Sequence, residues 1–342
     1  MAAQDQVTPS AFVCEGGLVK SRSTFIMQPG QAIELLNFEP DIEGGYRRIN
    51  GFRKHCNHIV PQTSSSTEKV LMTAFFNNNI LAARGEKIFS SASTELATKI
   101  VSGTGMTGSG TITVDSTTGF SSSGTLQINS EIFIYTGVTS TTFTGVTRAQ
   151  SSTSAADHAV DDAVSESWTE RDTGRTNASK YAFERFNFDG NDKIIVTDGI
   201  NDPTVFNTSL AATDVTASSV EGAKFVTAFK SHMFYAGMSS TPQELVFSEG
   251  FNEDGFSSGA TLPAGSLKVD DTIVGLKAFR GDLFVFCENR IFKVTGSSSS
   301  DFSVTPVTRN IGCVNGDTIQ EFAGDLIFLG PDGLRTVAGT AR

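Results

Sequence analysis

One short segment, His55-Cys56-Asn57-His58, groups residue types that bind metals. Imidazole nitrogens and cysteine thiolates are common zinc ligands, but a closed zinc site needs four ligands that converge on one point. On an extended chain, positions i, i+1 and i+3 do not all share a face, and no fourth ligand follows at a recognisable spacing. An ordinary loop is therefore favoured over a metal site.

One group of carboxylates could bind calcium, which prefers oxygen ligands. Asp189, Asp192 and Asp198 lie in the segment FDGNDKIIVTDG, which lacks the full pattern of an EF-hand loop. Aspartate also stabilises turns by accepting bonds from nearby backbone amides, and this interpretation is favoured here. A second cluster, which we interpret as a solvated face, consists of Asp157, Asp161 and Asp162.

The remaining candidates for chemistry are also better explained as structure. The run SGTGMTGSG at Ser102–Gly110 is glycine-rich, but it lies among strands with no helix to follow, which is typical of a flexible linker rather than a phosphate-binding loop. Nothing in the sequence singles out a carboxylate pair for glycoside hydrolysis. The sequence predicts no catalytic, cofactor-binding or metal-binding residue, and hence no enzyme. Four widely spaced cysteines are interpreted as free thiols: Cys14, Cys56, Cys287 and Cys313.

The composition indicates an all-β protein. The chain has 342 residues, of which 38% are hydrophobic and 18% charged, so it can bury a sizeable core. It holds 27 phenylalanines and 33 glycines, and short apolar runs separated by Gly, Asn, Asp and Ser are typical of strands and turns. No segment shows helical periodicity over three turns, although Gln31–Leu36 could form one or two turns after Pro29-Gly30.

The net charge of −11 argues against sequence-independent binding of free DNA or RNA, which needs clustered Lys and Arg. It is compatible with a channel through which DNA slides without binding. The N-terminal sequence MAAQDQVTPS has neither the basic region nor the apolar core of a signal peptide. No apolar stretch approaches the roughly 20 residues needed to span a bilayer. We therefore expect synthesis in a cytoplasm and no membrane segment.

An internal repeat organises the chain. An apolar strand is followed by a polar turn, a second apolar strand, another turn and a third strand. The turns carry Asn-Asn, Gly-Asp or Pro-Asp-Gly, which favour tight reversals. The last four copies start about 40 to 50 residues apart, which is close to the period of propeller blades. The five copies, of which the second is the loosest, are Val70–Ser91, Tyr181–Asn207, Phe225–Ser248, Ile273–Gly296 and Ile319–Gly339.

The central strand of each copy is almost continuously apolar, so it must be buried on both faces. Stacking the sheets face to face around an axis achieves this burial, as in a β-propeller. A generic antiparallel sandwich is the alternative. Glu166–Arg171 and Phe302–Val307 are candidates for a fourth, outer strand. The predicted central strands are Ile80–Ala83, Ile194–Val196, Met233–Ala236, Leu283–Phe286 and Leu326–Leu329.

A long segment interrupts the first copy. Strand patterns at Thr125–Ile128, Glu131–Thr136 and Thr142–Thr147 indicate a small β domain inserted into the first blade, with the chain returning at Trp168. Insertion at a hairpin tip is tolerated because the two ends stay close together. The predicted organisation is an N-terminal arm and docking segment at 1–66, a first blade at 67–98, the insert at 99–165 and the remaining blades at 166–342.

Two regions resemble proteins of tailed bacteriophages. Gly16–Phe52 contains a Gly-Gly-Leu phrase, a Pro-Gly…Leu-x-Asn segment and Gly-Gly-Tyr-Arg-Arg. It resembles the opening of the tail nozzle or tubular protein family, in which such segments precede a β-propeller. The phrases IVGLKAFRGDLFVFCENRIFKVTG and FAGDLIFLGPDGLRTV are similar to blades of that family. The insert, across Thr118–Arg148, resembles a small module of phage virion proteins, but Ala149-Gln150 stands where that module usually has Gly.

The resemblance implies a structural subunit of a phage tail, located in the virion and forming part of an oligomeric ring or channel for DNA ejection. The expected partners are copies of the chain itself, other tail or neck proteins and, in transit, genomic DNA; no cofactor is expected. A host-surface glycan-binding or adhesin propeller is the alternative, and a polysaccharide-degrading enzyme a more distant one. The basic stretches Tyr46-Arg47-Arg48 and Phe52-Arg53-Lys54-His55 could contact a neighbouring subunit or DNA, or be solvated turns.

Overall fold

The structure is a computed structural model of the 342-residue chain. It describes residues 16–20, 23–28, 30–40, 45–51, 60–61, 68–92, 96–101 and 110–340. The chain divides into two compact units, Met1–His55 and Cys56–Arg342.

The N-terminal unit contains little regular structure. Strand β1 (Phe38–Pro40) pairs with β2 (Tyr46–Arg48) as a short antiparallel ribbon. A single 3-10 turn at Thr24–Ile26 begins after Ser23, whose hydroxyl accepts a bond from the Phe25 amide. The prediction of helical turns at Gln31–Leu36 is wrong, because Ala32 is extended and donates its amide hydrogen to the Gly17 carbonyl.

The larger unit begins with a three-stranded meander, whose strands are β3 (Val70–Phe76), β4 (Asn79–Arg84) and β5 (Lys87–Ala92). Its first turn places Asn77 and Asn78 in the left-handed region, at φ 44° and 57°. Asparagine tolerates this conformation better than most residues. Because β4 carries apolar side chains on both faces, the sheet needs a covering layer on each side.

The insert follows and forms two sheets around its own core. Its first and last strands, β6 and β12, pair with each other, with Ala97 opposite Ser165, so the two ends of the insert lie side by side. The two sheets have the strand orders β6-β12-β8-β9 and β10-β11-β7. The strands are β6 (Ala97–Lys99), β7 (Gly110–Thr113), β8 (Gly124–Ile128), β9 (Glu131–Tyr135), β10 (Gly137–Val138), β11 (Thr142–Val146) and β12 (Ala163–Glu166).

Strand β13 (Thr169–Asp172) then returns to pair with β5 and gives the first meander its fourth strand. The predicted outer strand at Glu166–Arg171 is therefore confirmed over Thr169–Arg171, whereas Glu166 belongs to β12 of the insert. We call this four-stranded sheet blade 1. The strand order in this sheet is β13-β5-β4-β3. In the sequence, nearly the whole insert lies between the third strand of the blade, β5, and the fourth, β13.

Four further sheets follow in chain order, and each is a simple antiparallel meander. The predicted outer strand at Phe302–Val307 is also confirmed, since it falls in β25. Blade 2 consists of β14 (Ala182–Phe186), β15 (Lys193–Thr197), β16 (Thr204–Phe206) and β17 (Ala212–Asp214). Blade 3 consists of β18 (Phe225–Phe229), β19 (His232–Ala236), β20 (Glu244–Phe247) and β21 (Gly265–Lys268).

Blade 4 consists of β22 (Ile273–Phe279), β23 (Asp282–Cys287), β24 (Ile291–Thr295) and β25 (Ser303–Thr308). Blade 5 has three strands, β26 (Gln320–Phe322), β27 (Asp325–Gly330) and β28 (Gly333–Thr336). A 3-10 turn at Gly316–Thr318 precedes blade 5, and a single turn of helix, α1 (Val337–Thr340), follows it. Within the described ranges, no helix has the length and apolarity needed to cross a membrane.

Consecutive blades stack face to face in chain order. In blades 2, 3 and 4, one face of the second strand packs towards the preceding blade, and the other face packs towards the following blade. The first strands of blades 2, 3 and 4 also contact one another in order. Four separate hydrophobic clusters fill the seams between blades 1 and 2, 2 and 3, 3 and 4, and 4 and 5. The prediction of an all-β, propeller-like repeat with an inserted small β domain is confirmed.

The face of blade 1 that points away from blade 2 is also covered. Ala82 and Phe89 on this face are fully buried by Val60 and by Trp168, the residue before β13. The buried Arg84 holds the covering segment in place, because its guanidinium donates to the carbonyls of Val60 and Glu68. The stack is therefore closed at its first end by residues of the same unit.

We expect the seams to carry most of the stability of the larger unit. Phe234 is fully buried between blades 3 and 4, so Phe234→Ala should lower the free energy of unfolding by about 3–5 kcal/mol through lost burial and the cavity left behind. Denaturant unfolding followed by fluorescence or circular dichroism would measure this. Phe75, half exposed on β3, is the matched control, and Phe75→Ala should cost under about 1 kcal/mol. Equal losses at the two positions would contradict the seam arrangement.

Candidate functional site

The segment His55-Cys56-Asn57-His58 lies outside the described residues, as do Phe52-Arg53-Lys54-His55 and nearly all of the Gly-rich run at Ser102–Gly110. Among the residues that the structure describes, no three His, Cys, Asp or Glu side chains are grouped so that they could hold a metal ion. In the predicted basic stretch Tyr46-Arg47-Arg48, the Arg47 Nε donates to Glu39 at 2.7 Å, and Arg48 is exposed.

The predicted turn role of Asp189 and Asp198 is confirmed. Asp189 accepts from the Asn191 amide at 3.1 Å, and Asp198 accepts from the amides of Ile200 and Asn201 at 2.9 and 2.8 Å. Asp198 has a second role that the sequence did not indicate, because its other oxygen accepts a bond from Arg175 at 2.8 Å.

Arg175 is a buried cation that joins blade 1 to blade 2. Its guanidinium also donates to Asp172, at the end of β13, and to the Thr204 hydroxyl on β16, both at 2.6 Å. Burial works against the charged guanidinium, but these hydrogen bonds and the two carboxylates raise its pKa above the usual value. Burial also disfavours the charged form of Asp198 and so acts to raise its pKa. The hydrogen bonds from Arg175 and Asn201 outweigh this effect, and the pKa of Asp198 is lowered.

The acidic cluster of the insert is mostly solvated, as predicted. Asp157 and Asp161 are exposed, and Asp161 pairs with Lys99 at 2.7 Å. Asp162 is half-buried and accepts from the Asn129 side chain and the Ala159 amide, both at 2.9 Å. These bonds fix the loop before β12 and leave no convergent set of free oxygens.

A buried network in the insert was missed by the sequence analysis. Glu131, at the start of β9, is fully buried and receives two hydrogen bonds from Arg148, at 2.9 and 2.6 Å. His158 lies 2.9 Å away through Nε2, and the amides of Ala149 and Ala156 also donate to the carboxylate. Burial alone would raise the pKa of Glu131, but these hydrogen bonds lower it to about 2.

Glu131 and Arg148 both lie within Thr118–Arg148, the stretch of the insert that resembles a phage module, and they form one ion pair. Pairing them ties β9 to the loop after β11. The role is structural, because every oxygen of the carboxylate is occupied by a donor from the insert itself.

The two described cysteines, Cys287 and Cys313, are buried free thiols, as predicted, while Cys14 and Cys56 lie outside the described residues. Burial raises the pKa of both described thiols, so neither is activated as a nucleophile. One Gly-x-Ser-x-Gly spacing occurs, at Gly255–Gly259, but it lies in the loop between β20 and β21. There the Ser257 hydroxyl accepts from the Gly259 amide, so the segment does not form the strand-turn-helix of a nucleophile elbow.

A polar groove lies between the first strands of blades 2, 3 and 4 and the turn before blade 5. It has a volume of about 480 Å³ and we call it the inner groove. Lys180 crosses it to pair with Asp317 at 2.6 Å. Two glycines permit the close approach that shapes it: a Cβ on Gly316 would lie 2.1 Å from the Val274 carbonyl oxygen, and one on Gly275 would lie 2.5 Å from Ile319.

The inner groove contains one half-buried carboxylate, Glu184 on β14. Burial raises its pKa, while a 3.4 Å bond from the Ala228 amide and the charge of Lys277 oppose that rise. The half-exposed ring of Phe183 also lines the groove. The groove therefore offers hydrogen-bonding groups beside an aromatic ring, but no nucleophile held by a neighbouring base.

The N-terminal unit brings the pieces of its phage-like phrase together. The Tyr46 hydroxyl lies within hydrogen-bonding distance of two carbonyls, Gly17 at 3.0 Å and Gly30 at 2.8 Å, and the Gly16 amide donates to Gly30. A Cβ on Gly16 would lie 2.4 Å from the Gln31 side chain, so that position requires glycine. Backbone hydrogen bonds, rather than apolar packing, therefore define this unit.

Seven large apolar side chains among the described residues of the same unit are exposed. Phe25 is 97% exposed and Leu36 74% exposed, whereas Val19, Met27 and Leu35 are half-buried and none of the unit's described hydrophobic residues is fully buried. This set of exposed apolar side chains is available to contact a partner. We call it the N-terminal apolar surface, and it comprises Leu18, Phe25, Ile26, Ile33, Leu36, Phe38 and Ile49.

Comparison with known proteins gives no family for this chain. No family model and no curated protein matches the chain. The phage phi92 endosialidase is 14% identical, with a TM-score of 0.34, over 76% of this chain and 52% of its own. An auxiliary nutrient binding protein from Bacteroides thetaiotaomicron is 11% identical, with a TM-score of 0.32, over 76% and 71%.

BamB from Moraxella catarrhalis is 11% identical, with a TM-score of 0.30, over 76% of this chain and 78% of its own. TM-scores of 0.30 to 0.34 carry no argument about the activity of this chain. The propeller-like architecture therefore stands on the order and stacking of its own strands.

The Glu131 network should make the insert sensitive to acid. The pKa of Glu131 is about 2 in the folded chain against 4.5 for the free group, so its stabilisation is complete above about pH 5 and is lost as the pH falls towards 2. The difference corresponds to about 3 kcal/mol. Glu131→Gln should lower the stability of the insert at pH 7 and remove this part of its acid dependence. Thermal unfolding at pH 7, 5 and 3 would measure both effects.

Glu221→Gln, at an exposed position of the loop between blades 2 and 3, is the matched control and should change neither quantity. If Glu131→Gln unfolds at the same temperature as the parent chain at pH 7, the ion pair does not hold the insert together.

Proposed function

We propose that this chain is a structural subunit of a bacteriophage tail that assembles through its N-terminal apolar surface. The observation that carries the proposal is the exposure of seven large apolar side chains on a unit whose described residues bury no hydrophobic core. Exposed apolar surface is costly in water, and a partner that covers it gains roughly 25 cal/mol for each Å² removed from solvent.

The larger unit suits a mechanical role. Its blades are joined by buried apolar seams, and buried ion pairs fix both the insert and the connection between blades 1 and 2. The charged groups described above are used to hold elements together. A tail ring requires rigid subunits that bind one another, and exposed apolar side chains on the N-terminal unit could provide the contact. The segments that resemble tail nozzle proteins support the assignment to phage tail proteins.

The ring itself follows from the kind of contact. One copy presents its N-terminal unit and the next presents a different surface, which is a heterologous contact that forms closed rings when the rotation between copies permits. The net charge of −11 would give such a ring a surface that DNA can pass without binding tightly. On this proposal the chain acts in the virion and catalyses no reaction.

Assembly can be tested on the purified chain and on particles. We expect light scattering after size exclusion to give a mass several times 36.3 kDa, electron microscopy to show rings, and mass spectrometry of purified virions to detect the chain. Replacing two residues of the apolar surface, as in Phe25→Asp with Leu36→Asp, should give monomers with an unchanged unfolding transition of the larger unit.

The control for this experiment is Val160→Asp with Ile200→Asp, which alters exposed apolar residues outside the N-terminal unit and should leave the mass unchanged. A chain that is monomeric at high concentration and absent from particles would overturn the proposal.

A second candidate function, recognition of host glycans, is favoured by the inner groove. Glu184, Thr227 and the ring of Phe183 offer hydrogen-bond partners and an apolar surface for a sugar. On this candidate, glycan-array binding would persist at high salt and fall at least tenfold in Glu184→Gln, while Glu253→Gln, outside the groove, would bind as the parent chain does. Binding that Glu184→Gln leaves unchanged would exclude the groove as the site.

A further inference from the structure

A second cavity of the larger unit lies between blades 2 and 3 and shares no lining residue with the inner groove. It has a volume of about 260 Å³. Its walls are the start of β15, the last two strands of blade 2 and the loop between β20 and β21 of blade 3. We call it the side pocket, and the lining residues that matter here are Lys193, Val205, Thr213, Val215, Glu253 and Asp254.

The side pocket contains a buried carboxylate with one unpaired oxygen. Glu253 is only 7% exposed, and its Oε1 accepts from the Lys193 ammonium at 2.8 Å. Its Oε2 accepts from none of the described residues and is not sealed off from solvent. Burying a charged group is costly unless hydrogen bonds compensate it, so this oxygen indicates a ligand that donates a hydrogen bond.

The loop that carries this carboxylate is held in place by its own hydrogen bonds. The buried Tyr235 hydroxyl donates to the Glu253 carbonyl at 2.6 Å. The Glu249 carboxylate accepts from the Ser257 amide at 2.7 Å, and the Glu249 amide donates to the Gly255 carbonyl at 2.8 Å. A binding group that is fixed before the ligand arrives loses little conformational entropy on binding. The loop therefore presents Glu253 in a preorganised position.

The charge of the side pocket favours a cationic ligand. Two carboxylates, Glu253 and Asp254, line the pocket together with one ammonium, Lys193. That ammonium already has two carboxylate partners, since Asp189 lies 3.3 Å from it in addition to Glu253. Asp254 is exposed and forms no ion pair with a described residue. An anion would meet two like charges here, whereas a cation is attracted by both carboxylates.

The floor of the side pocket is apolar. Val205 is 7% exposed and Val215 1% exposed, and Val215 with its neighbours belongs to the seam between blades 2 and 3. The Thr213 side chain is exposed beside this floor. Lysine and arginine combine an aliphatic stem with a charged head, and they place the stem along apolar surface while the head reaches a polar partner. The small volume admits one such side chain rather than a helix or a strand.

We propose that the side pocket binds a lysine or arginine side chain of a partner polypeptide. The stem lies on Val205 and Val215. The ammonium or guanidinium donates to Oε2 of Glu253 and to the Asp254 carboxylate. The inference does not depend on the proposed ring, because every residue that it uses belongs to the larger unit.

Titration of the full-length chain with N-acetyl-lysine amide and with N-acetyl-arginine amide tests the site, followed by NMR of labelled valine methyl groups. We expect both compounds to shift the methyl signals of Val205 and Val215, with dissociation constants on the order of 1 mM, as the efficiency of small ligands allows. N-acetyl-norleucine amide keeps the stem and lacks the charge, so it should bind at least about tenfold more weakly.

Substitutions locate the charged contact. Asp254→Asn should weaken the binding of both cations about threefold, as expected for one exposed charge. Glu321→Gln removes the same charge from an exposed position of blade 5 and should leave binding unchanged. Lys193→Met removes the ammonium that competes for Glu253, so both cations should bind about threefold more tightly. Because Asp254 is exposed, Asp254→Asn tests the proposal even if Lys193→Met does not fold.

Three results would overturn the inference. The first is binding of the cations that Asp254→Asn weakens no more than Glu321→Gln does. The second is a norleucine derivative that binds as tightly as the lysine derivative. The third is a neutral monosaccharide or a sulfate ion that shifts the signals of Val205 and Val215 more strongly than either cation does.

Discussion

The central strand of every blade is apolar on both faces, and the rest of the molecule follows from the need to cover it twice. A sheet with one polar face can stand against solvent, whereas β4, β15, β19, β23 and β27 cannot. Stacking satisfies this requirement for four seams with neighbouring blades, and Val60 with Trp168 satisfies it at the first end. The last face is the one place where the requirement is unmet within the described residues, and that difference gives the stack a direction.

The buried charged side chains of this protein mainly connect structural elements to one another. Arg175 connects the end of β13 to two strands of blade 2, and Arg84 holds the segment that covers blade 1. Glu131 gathers two side chains and two backbone amides in the insert. A buried ion whose partner is removed is more costly than one never buried, so removing one member of such a cluster should destabilise the element that it holds.

The strands were predictable from the sequence because short apolar runs and turn residues are local signals. All five central strands lie where the pattern places them, as does the outer strand of blade 4, and that of blade 1 begins at Thr169 rather than Glu166. The Glu131–Arg148–His158 network was not predictable, since its members are separated by 17 and 27 residues and no spacing rule links them. The helical turns expected at Gln31–Leu36, after Pro29-Gly30, are absent because Ala32 exchanges backbone hydrogen bonds with Gly17 and Val19 and is extended. These partners lie 13 to 15 residues away, so no local signal indicates them.

The pairing of β6 with β12 has a consequence for how blade 1 is completed. Strand β13 must reach β5 across the whole insert, and closing a flexible loop of that length would cost conformational entropy that grows with the logarithm of its length. Because Ala97 lies opposite Ser165, the folded insert delivers β13 to the edge of blade 1 as though the connection were a short hairpin. The folded insert thus lowers the entropy cost of pairing β13 with β5. If the insert unfolds, both β13 and Trp168, which covers the first end of the stack, should be held less firmly against blade 1.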